Sequence, residues 1–284
     1  MKIDVIHLRP DQEEITMTAY IADDTPDRRV PKRQAIVIFP GGGYDHLSWR
    51  ESEPIAMKFY AEGINAFVVN YSILDKALFP NPLKDASLAV AYVRSHAEEY
   101  NIFPDQIYVI GFSAGGHMAG MIGTMWHHEE AKISPDMPYG LNRPDGMLIC
   151  YGCVTIGEYA NEGTAEILAG TETPDEETIK RISIHTNVDD KTVPAFIWHC
   201  SSDWVVHVKN PLMLARALAD HDIPFELKIY QQGPHGISVG TRFTAVEAPT
   251  YINEYISHWT EDAIRWVVDR YPDYAKIELK GEQK

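Results

Sequence analysis

Six short apolar runs, at residues 35–39, 64–69, 107–110, 147–151, 195–199 and 225–230, alternate along the chain with stretches whose apolar residues fall at helical spacing. Few folds accept that alternation. Short runs rich in β-branched and aromatic residues suit strands buried on both faces, as in a parallel sheet. The helical stretches at 54–62, 82–100, 114–126, 211–220 and 261–271 supply the crossovers that parallel strands require. Pro54, Pro82 and Pro211 open three of them, where a missing backbone N–H costs nothing. The expected fold is α/β: a doubly wound, mostly parallel sheet with helices on both faces.

The opening segment, with Val5, His7 and the run 15–21 before a polar turn at 23–29, lacks helical periodicity and reads as an antiparallel entry to the sheet. Residues 127–145 and 154–193 fit no strand-and-helix unit, and the expectation is that they wall a substrate pocket. No repeat or composition break divides the chain, so residues 1–284 are expected to form a single domain.

The charge balance bears on partners. With 25 Lys and Arg against 41 Asp and Glu, the net charge of −16 repels phosphate backbones and anionic lipid surfaces. Nucleic acid and membrane are therefore not expected partners, and a neutral small molecule is. The N-terminal region has no uninterrupted apolar run of signal-peptide length, and no stretch of about 20 apolar residues occurs, so the chain reads as cytoplasmic. The sequence leaves a homo-oligomer open.

Of the three cysteines, Cys150 and Cys153 form a C-x-x-C, while Cys200 stands apart. Cys150 closes an apolar run, and the expectation is buried thiols acting as small hydrophobes. The pair His127–His128 invites a metal, but adjacent residues on a helix point in different directions and would not clamp one ion. No metal and no cofactor is expected.

Gly111-Phe112-Ser113-Ala114-Gly115 fits G-x-S-x-G after an apolar run and before a helical stretch. Small flanking residues are needed there because a sharp strand-to-helix turn strains the nucleophile and brings backbones close. A serine hydroxyl needs a base. His235, in Gln232-Gly233-Pro234-His235-Gly236, lies in a loop directly after the run 225–230, where such sheets place their sites. Asp203, a few residues after the run 195–199, completes the order Ser, Asp, His and would orient the imidazole. Its rivals Asp189 and Asp190 precede a strand, at the wrong end of the sheet. Pro40-Gly41-Gly42-Gly43-Tyr44 follows another strand and supplies backbone N–H groups for an oxyanion hole, together with Ala114. Tyr44, Trp49 and Trp204 sit beside these elements as candidate substrate contacts.

With these parts in order, the sequence resembles the esterase and lipase branch of the α/β hydrolases, and within it the small acetyl-esterase-like carbohydrate esterases. The resemblance runs over nearly the whole chain. It rests on Phe39-Pro40-Gly41-Gly42-Gly43-Tyr44, Arg50-Glu51-Ser52-Glu53-Pro54, Val69-Asn70-Tyr71, Ile110-Gly111-Phe112-Ser113-Ala114-Gly115-Gly116-His117, Trp198-His199-Cys200-Ser201-Ser202-Asp203 and Gly233-Pro234-His235-Gly236. It implies an α/β-hydrolase fold, Gly42, Gly43 and Ala114 as oxyanion donors, and hydrolysis of short acyl esters, often acetyl groups on sugars or xylan fragments. One departure stands out: the glycines follow Pro40 where much of the branch carries a loop-bracing histidine. Relatives on this scaffold also include aryl formamidases and inactive binding proteins, so amide cleavage and a binding role are the competing readings.

Overall fold

The computed structural model describes residues 1–23, 32–246 and 251–269. Most of the turn expected at 23–29, and the end of the last expected helix at 270–271, lie outside the described residues. Eight strands form one sheet: β1 (Lys2–His7), β2 (Thr16–Ile21), β3 (Arg33–Phe39), β4 (Asn65–Asn70), β5 (Ile102–Phe112), β6 (Gly146–Cys150), β7 (Ala195–Cys200) and β8 (Phe225–Tyr230). Their spatial order is β1-β2-β4-β3-β5-β6-β7-β8. The pairs β1–β2 and β2–β4 are antiparallel and the others parallel, so the opening segment enters the sheet antiparallel as expected.

Eight α-helices are described: α1 (Glu53–Ala61), α2 (Asn81–Ser95), α3 (Ala114–Met125), α4 (Glu162–Ala169), α5 (Glu176–Ile182), α6 (Lys209–Asp220), α7 (Glu254–Ser257) and α8 (Trp259–Asp269). The strand period of two decides what each face of the sheet buries. On β3, Val37 and Phe39 join a core with Leu83 and Val90 of α2, Met118 and Ile122 of α3, and Leu214 of α6. Ile36 and Ile38 point the other way, onto Ile55 and Phe59 of α1 and Trp259 and Val267 of α8. Helices therefore cover both faces, and the fold is that of an α/β hydrolase.

Some elements differ in extent from the hydrophobicity reading. β5 begins at Ile102, five residues before the apolar run, because Pro104 and Asp105 interrupt the pattern but not the strand. Residues 154–193 hold α4 and α5, each opened by a side chain that accepts from a backbone N–H of the first turn: Asn161 from Thr164 and Asp175 from Thr178. Residues 127–145 pack against α2. The buried Asn142 amide donates to the Ser87 hydroxyl and the Trp126 carbonyl, and Arg94 pairs with Asp145 at 2.9 Å. No helix among the described residues is long and apolar enough to cross a membrane.

The packing of α8 reaches the functional end of the sheet. Trp259 is fully buried, stacks on Trp198 with ring centroids 5.1 Å apart, and donates its indole N–H to the Ser238 carbonyl at 2.9 Å. Trp259→Ala should cost about 3–5 kcal/mol of unfolding free energy, read from the guanidinium midpoint. A loss below about 1 kcal/mol would mean that α8 does not anchor this loop.

Candidate active site

β5 ends and α3 begins with Ser113 alone between them, at φ 53° and ψ −118°. Such a conformation costs a non-glycine residue about 1–3 kcal/mol. Three backbone hydrogen bonds hold it: the Ser113 N–H donates to Cys150, and the Ser113 carbonyl accepts from His117 and Cys153. The glycines of the motif are required by contact. A Cβ on Gly115 would lie 2.0 Å from the Phe39 carbonyl oxygen, and one on Gly111 would lie 1.9 Å from the Gly115 carbonyl oxygen.

The structure brings together the three side chains drawn from distant loops. His235 Nε2 lies 2.8 Å from Ser113 Oγ, and His235 Nδ1 lies 2.7 Å from Asp203 Oδ2. The other Asp203 oxygen accepts from the N–H groups of Val205 and Val206 at 2.9 and 3.0 Å, which fixes the carboxylate plane. Burial alone would raise the Asp203 carboxyl, but the hydrogen bond and charge of His235 and the Val206 N–H outweigh it and hold the group below its ordinary 3.8.

The N–H groups of Gly42, Gly43 and Ala114 donate to no other described residue. Gly41 is different: its N–H donates to Glu51 Oε2 at 2.8 Å. The buried Glu51 carboxylate also accepts from the Tyr151 hydroxyl at 2.6 Å, and the Tyr151 ring stands edge-on to His235 with centroids 5.2 Å apart. Arg50 donates to the Gly236 carbonyl at 2.7 Å, and the Ser238 hydroxyl donates to the Arg50 carbonyl at 2.6 Å. Residues 50 and 51 thus tie the glycine loop to the histidine loop. In the absence of the histidine common before these glycines, Glu51 and the Tyr71 hydroxyl, which donates to the Pro40 carbonyl, brace the loop. The segment from Arg50 to Pro54 contributed only to the resemblance.

A cavity of about 270 Å³ opens over Ser113 and His235. Its walls carry Gly42, Gly43, His46, Ser48, Arg50, Asn161, Thr164 and Val205. Asn161 and Thr164 come from the 154–193 segment, whereas the segment 127–145 contributes nothing to it. The aromatic expectation needs correction. Tyr44 is fully buried, bonded to His117 and packed edge-on to Tyr71, so its side chain supports the loop from beneath. Trp49 and Trp204 are largely exposed beside the cavity, and their neighbours Ser48, Arg50 and Val205 line it while they do not.

Two further readings are settled by burial and backbone geometry. All three cysteines are free and buried, and burial pushes the Cys153 and Cys200 thiols up to about 12. The pair His127–His128 does not sit on a helix: α3 ends at Met125, and His128 is extended at φ −74° and ψ 155°. The divergence expected of adjacent helical residues therefore does not apply, and both rings converge on Asp189.

With the geometry in place, comparison with known proteins adds the lineage. The BD-FAE family model matches residues 24–218, more than half of the chain. This chain belongs to the BD-FAE family. It is 34% identical over 233 residues to an endo-1,4-β-xylanase B of Butyrivibrio fibrisolvens, covering 81% of this chain and 34% of that protein. It is 30% identical over 220 residues to an acetylxylan esterase of Xylanibacter ruminicola, covering 75% of this chain and 43% of that protein. The chain thus spans less than half the length of these relatives. A solved acetyl ester-xyloside bifunctional hydrolase from Caldicellulosiruptor lactoaceticus superposes with a TM-score of 0.81 at 34% identity, covering 94% of this chain and 96% of that one. By family and fold the chain groups with carboxylic ester hydrolases.

Asp203→Asn should lower kcat by about 10⁴-fold on any substrate turned over through Ser113, because an amide cannot hold the required imidazole tautomer. The carboxyl is held below its ordinary value, so its contribution to stability is complete above that ordinary value and is lost as pH falls towards and through the lower folded-state value. Guanidinium midpoints of wild type and Asp203→Asn should therefore differ at neutral pH, and the difference should shrink as pH falls below the carboxyl's ordinary value. Glu51→Ala should lower kcat/KM by roughly 10²-fold, with Glu51→Gln retaining more. Equal activity of wild type and Glu51→Ala would remove the bracing role.

Proposed function

We propose that this chain is a serine carboxylesterase that removes short acyl groups, acetyl above all, from hydroxylated substrates such as acetylated xylo-oligosaccharides. The observation that carries this reading is the continuous relay from Ser113 through His235 to Asp203, at 2.8 and 2.7 Å, beside three backbone N–H groups with no partner among the described residues.

In the proposed cycle Ser113 Oγ attacks the ester carbonyl carbon while its proton passes to His235 Nε2. Asp203 keeps the other ring nitrogen in place and stabilises the imidazolium without taking the proton. Charge develops on the carbonyl oxygen, where the N–H groups of Gly42, Gly43 and Ala114 donate to it. His235 then protonates the leaving alcohol, and an acyl group remains on Ser113. Water repeats the sequence to release the acid.

The cavity supports a polar alcohol. Ser48, Arg50, Asn161 and Thr164 offer hydroxyl, guanidinium and amide groups, and Val205 is the one aliphatic side chain in the wall. Such a lining suits sugar hydroxyls better than a long acyl chain. The acetyl ester hydrolysis named for the relatives supports the choice of acetyl.

Initial rates on nitrophenyl acetate, butyrate and octanoate, with Ser113→Ala as control, test the reading. Each methylene buried in an apolar groove would add about 0.8 kcal/mol of binding. The expected result is kcat/KM falling steeply beyond acetate, activity on acetylated xylo-oligosaccharides, and loss of both in Ser113→Ala. Full activity in Ser113→Ala, or none on any of the esters in wild type, would overturn it; turnover of formyl anilides alone would move the reaction to amides.

A further inference from the structure

The strongest cluster of ligand atoms outside the cavity lies at the opposite end of the nucleophile helix. α3 stops at Met125, the chain turns through Trp126, and the switch to extended backbone at His128 sets the His127 and His128 rings 4.6 Å apart at 86°. Asp189, from the turn that leads into β7, reaches the same point, with its Oδ2 2.9 Å from His127 Nε2. One ligand atom from each of the three side chains lies within 4.8 Å of the others.

The Asp189 side is held in advance. Asp189 Oδ1 accepts from the Lys191 N–H at 2.9 Å, and the Asp189 N–H donates to the Thr192 hydroxyl at the same distance. That turn is docked on α3 by the Trp126 indole N–H to the Lys191 carbonyl and by the Val193 N–H to the Gly123 carbonyl. One carboxylate oxygen is thus committed to the turn and the other faces the imidazoles. His127 is nearly buried, and its Nδ1 has no hydrogen-bond partner among the described residues. An ordinary histidine–carboxylate hydrogen bond uses two of these residues and leaves the convergence of His128 without a purpose.

From this arrangement we propose that His127, His128 and Asp189 form a structural binding site for a divalent transition metal, zinc being the best match to two imidazoles and one carboxylate. Zinc takes such ligands at about 2.0–2.2 Å, so ligand atoms of one ion stand about 3–4 Å apart. Side-chain rotations close the present spread to that range. A fourth position is left for water. The ion fastens the C-terminal end of α3 to the turn before β7, two segments separated by about 60 residues of chain. α3 has 12 residues and a length of about 18 Å, which separates the ion from Ser113, so its effect is on stability.

The test uses the full chain without an affinity tag, stripped with a chelator and titrated with Zn²⁺ by calorimetry and with Co²⁺ by visible absorption. The expected result is a stoichiometry near one, a raised thermal midpoint with Zn²⁺, and the absorption of Co²⁺ in a low-coordinate nitrogen and oxygen site. His128→Ala and Asp189→Asn, chosen because His128 is half exposed and asparagine keeps the turn, should each weaken binding by at least about tenfold. His258→Ala, which removes an exposed histidine elsewhere, should bind as wild type does. Absence of saturable binding, or equal affinity in wild type, His128→Ala and Asp189→Asn, would overturn the proposal.

Discussion

Backbone meets backbone where β3 passes the first turn of α3, with no side chain between them. The Phe39 and Pro40 carbonyls come so close to Gly115 that a single methyl group there would collide with both. Everything at the functional end is referred to this contact. It sets the distance between the glycine loop that leaves β3 and the serine that begins α3, and it does so through groups that cannot change rotamer. The strain at Ser113 is held by its own amide and carbonyl, which bond to β6, to the loop after it and to α3. Hydrophobic packing on both faces of the sheet then keeps these strands and helices in register.

Polar groups buried around that contact do what apolar packing cannot, because hydrogen bonds fix direction as well as distance. Asp203 and Glu51 are both buried carboxylates, yet each has both oxygens engaged. Asp203 serves one side chain and its own turn. Glu51 joins the glycine loop after β3 to Tyr151 at the end of β6, and Arg50 beside it connects the same side of the site to the histidine loop after β8. Loss of either carboxylate would leave buried donors unpaired, which is more costly than the bonds are worth when made.

Much of this was legible in the chain before any coordinates. The inner strands announced themselves because burial on both faces leaves little room for polar residues, and the antiparallel start was visible as a loss of helical period. Ser113, Asp203 and His235 could be found because each follows an apolar run, in the serine, acid, histidine order that the resemblance implies. Residues whose roles depend on distant partners were not legible. Nothing local distinguishes Glu51 from a surface glutamate, since its partners are Gly41 and Tyr151. Tyr44 was misplaced because a residue next to a loop glycine can turn inward as easily as outward, and a positive φ of 63° turns it inward. The divergence expected of the histidine pair fails because α3 stops three residues short of His128, which is extended.

The walls of the cavity and the relay from Ser113 through His235 to Asp203 have different supports. Ser113, Asp203, His235 and the glycine loop all lie in turns and loops that follow the C-terminal ends of strands of the sheet. Asn161 and Thr164 stand on α4, a short capped helix in the segment between β6 and β7, whose Leu168, Ile182 and Ile184 pack into the core beside the sheet. Changes at these two positions can therefore alter which molecules fit the cavity, while the relay from Ser113 through His235 to Asp203 stays where it is. A scaffold divided in this way is suited to diversification: one rigid half can serve a whole lineage of differing tastes.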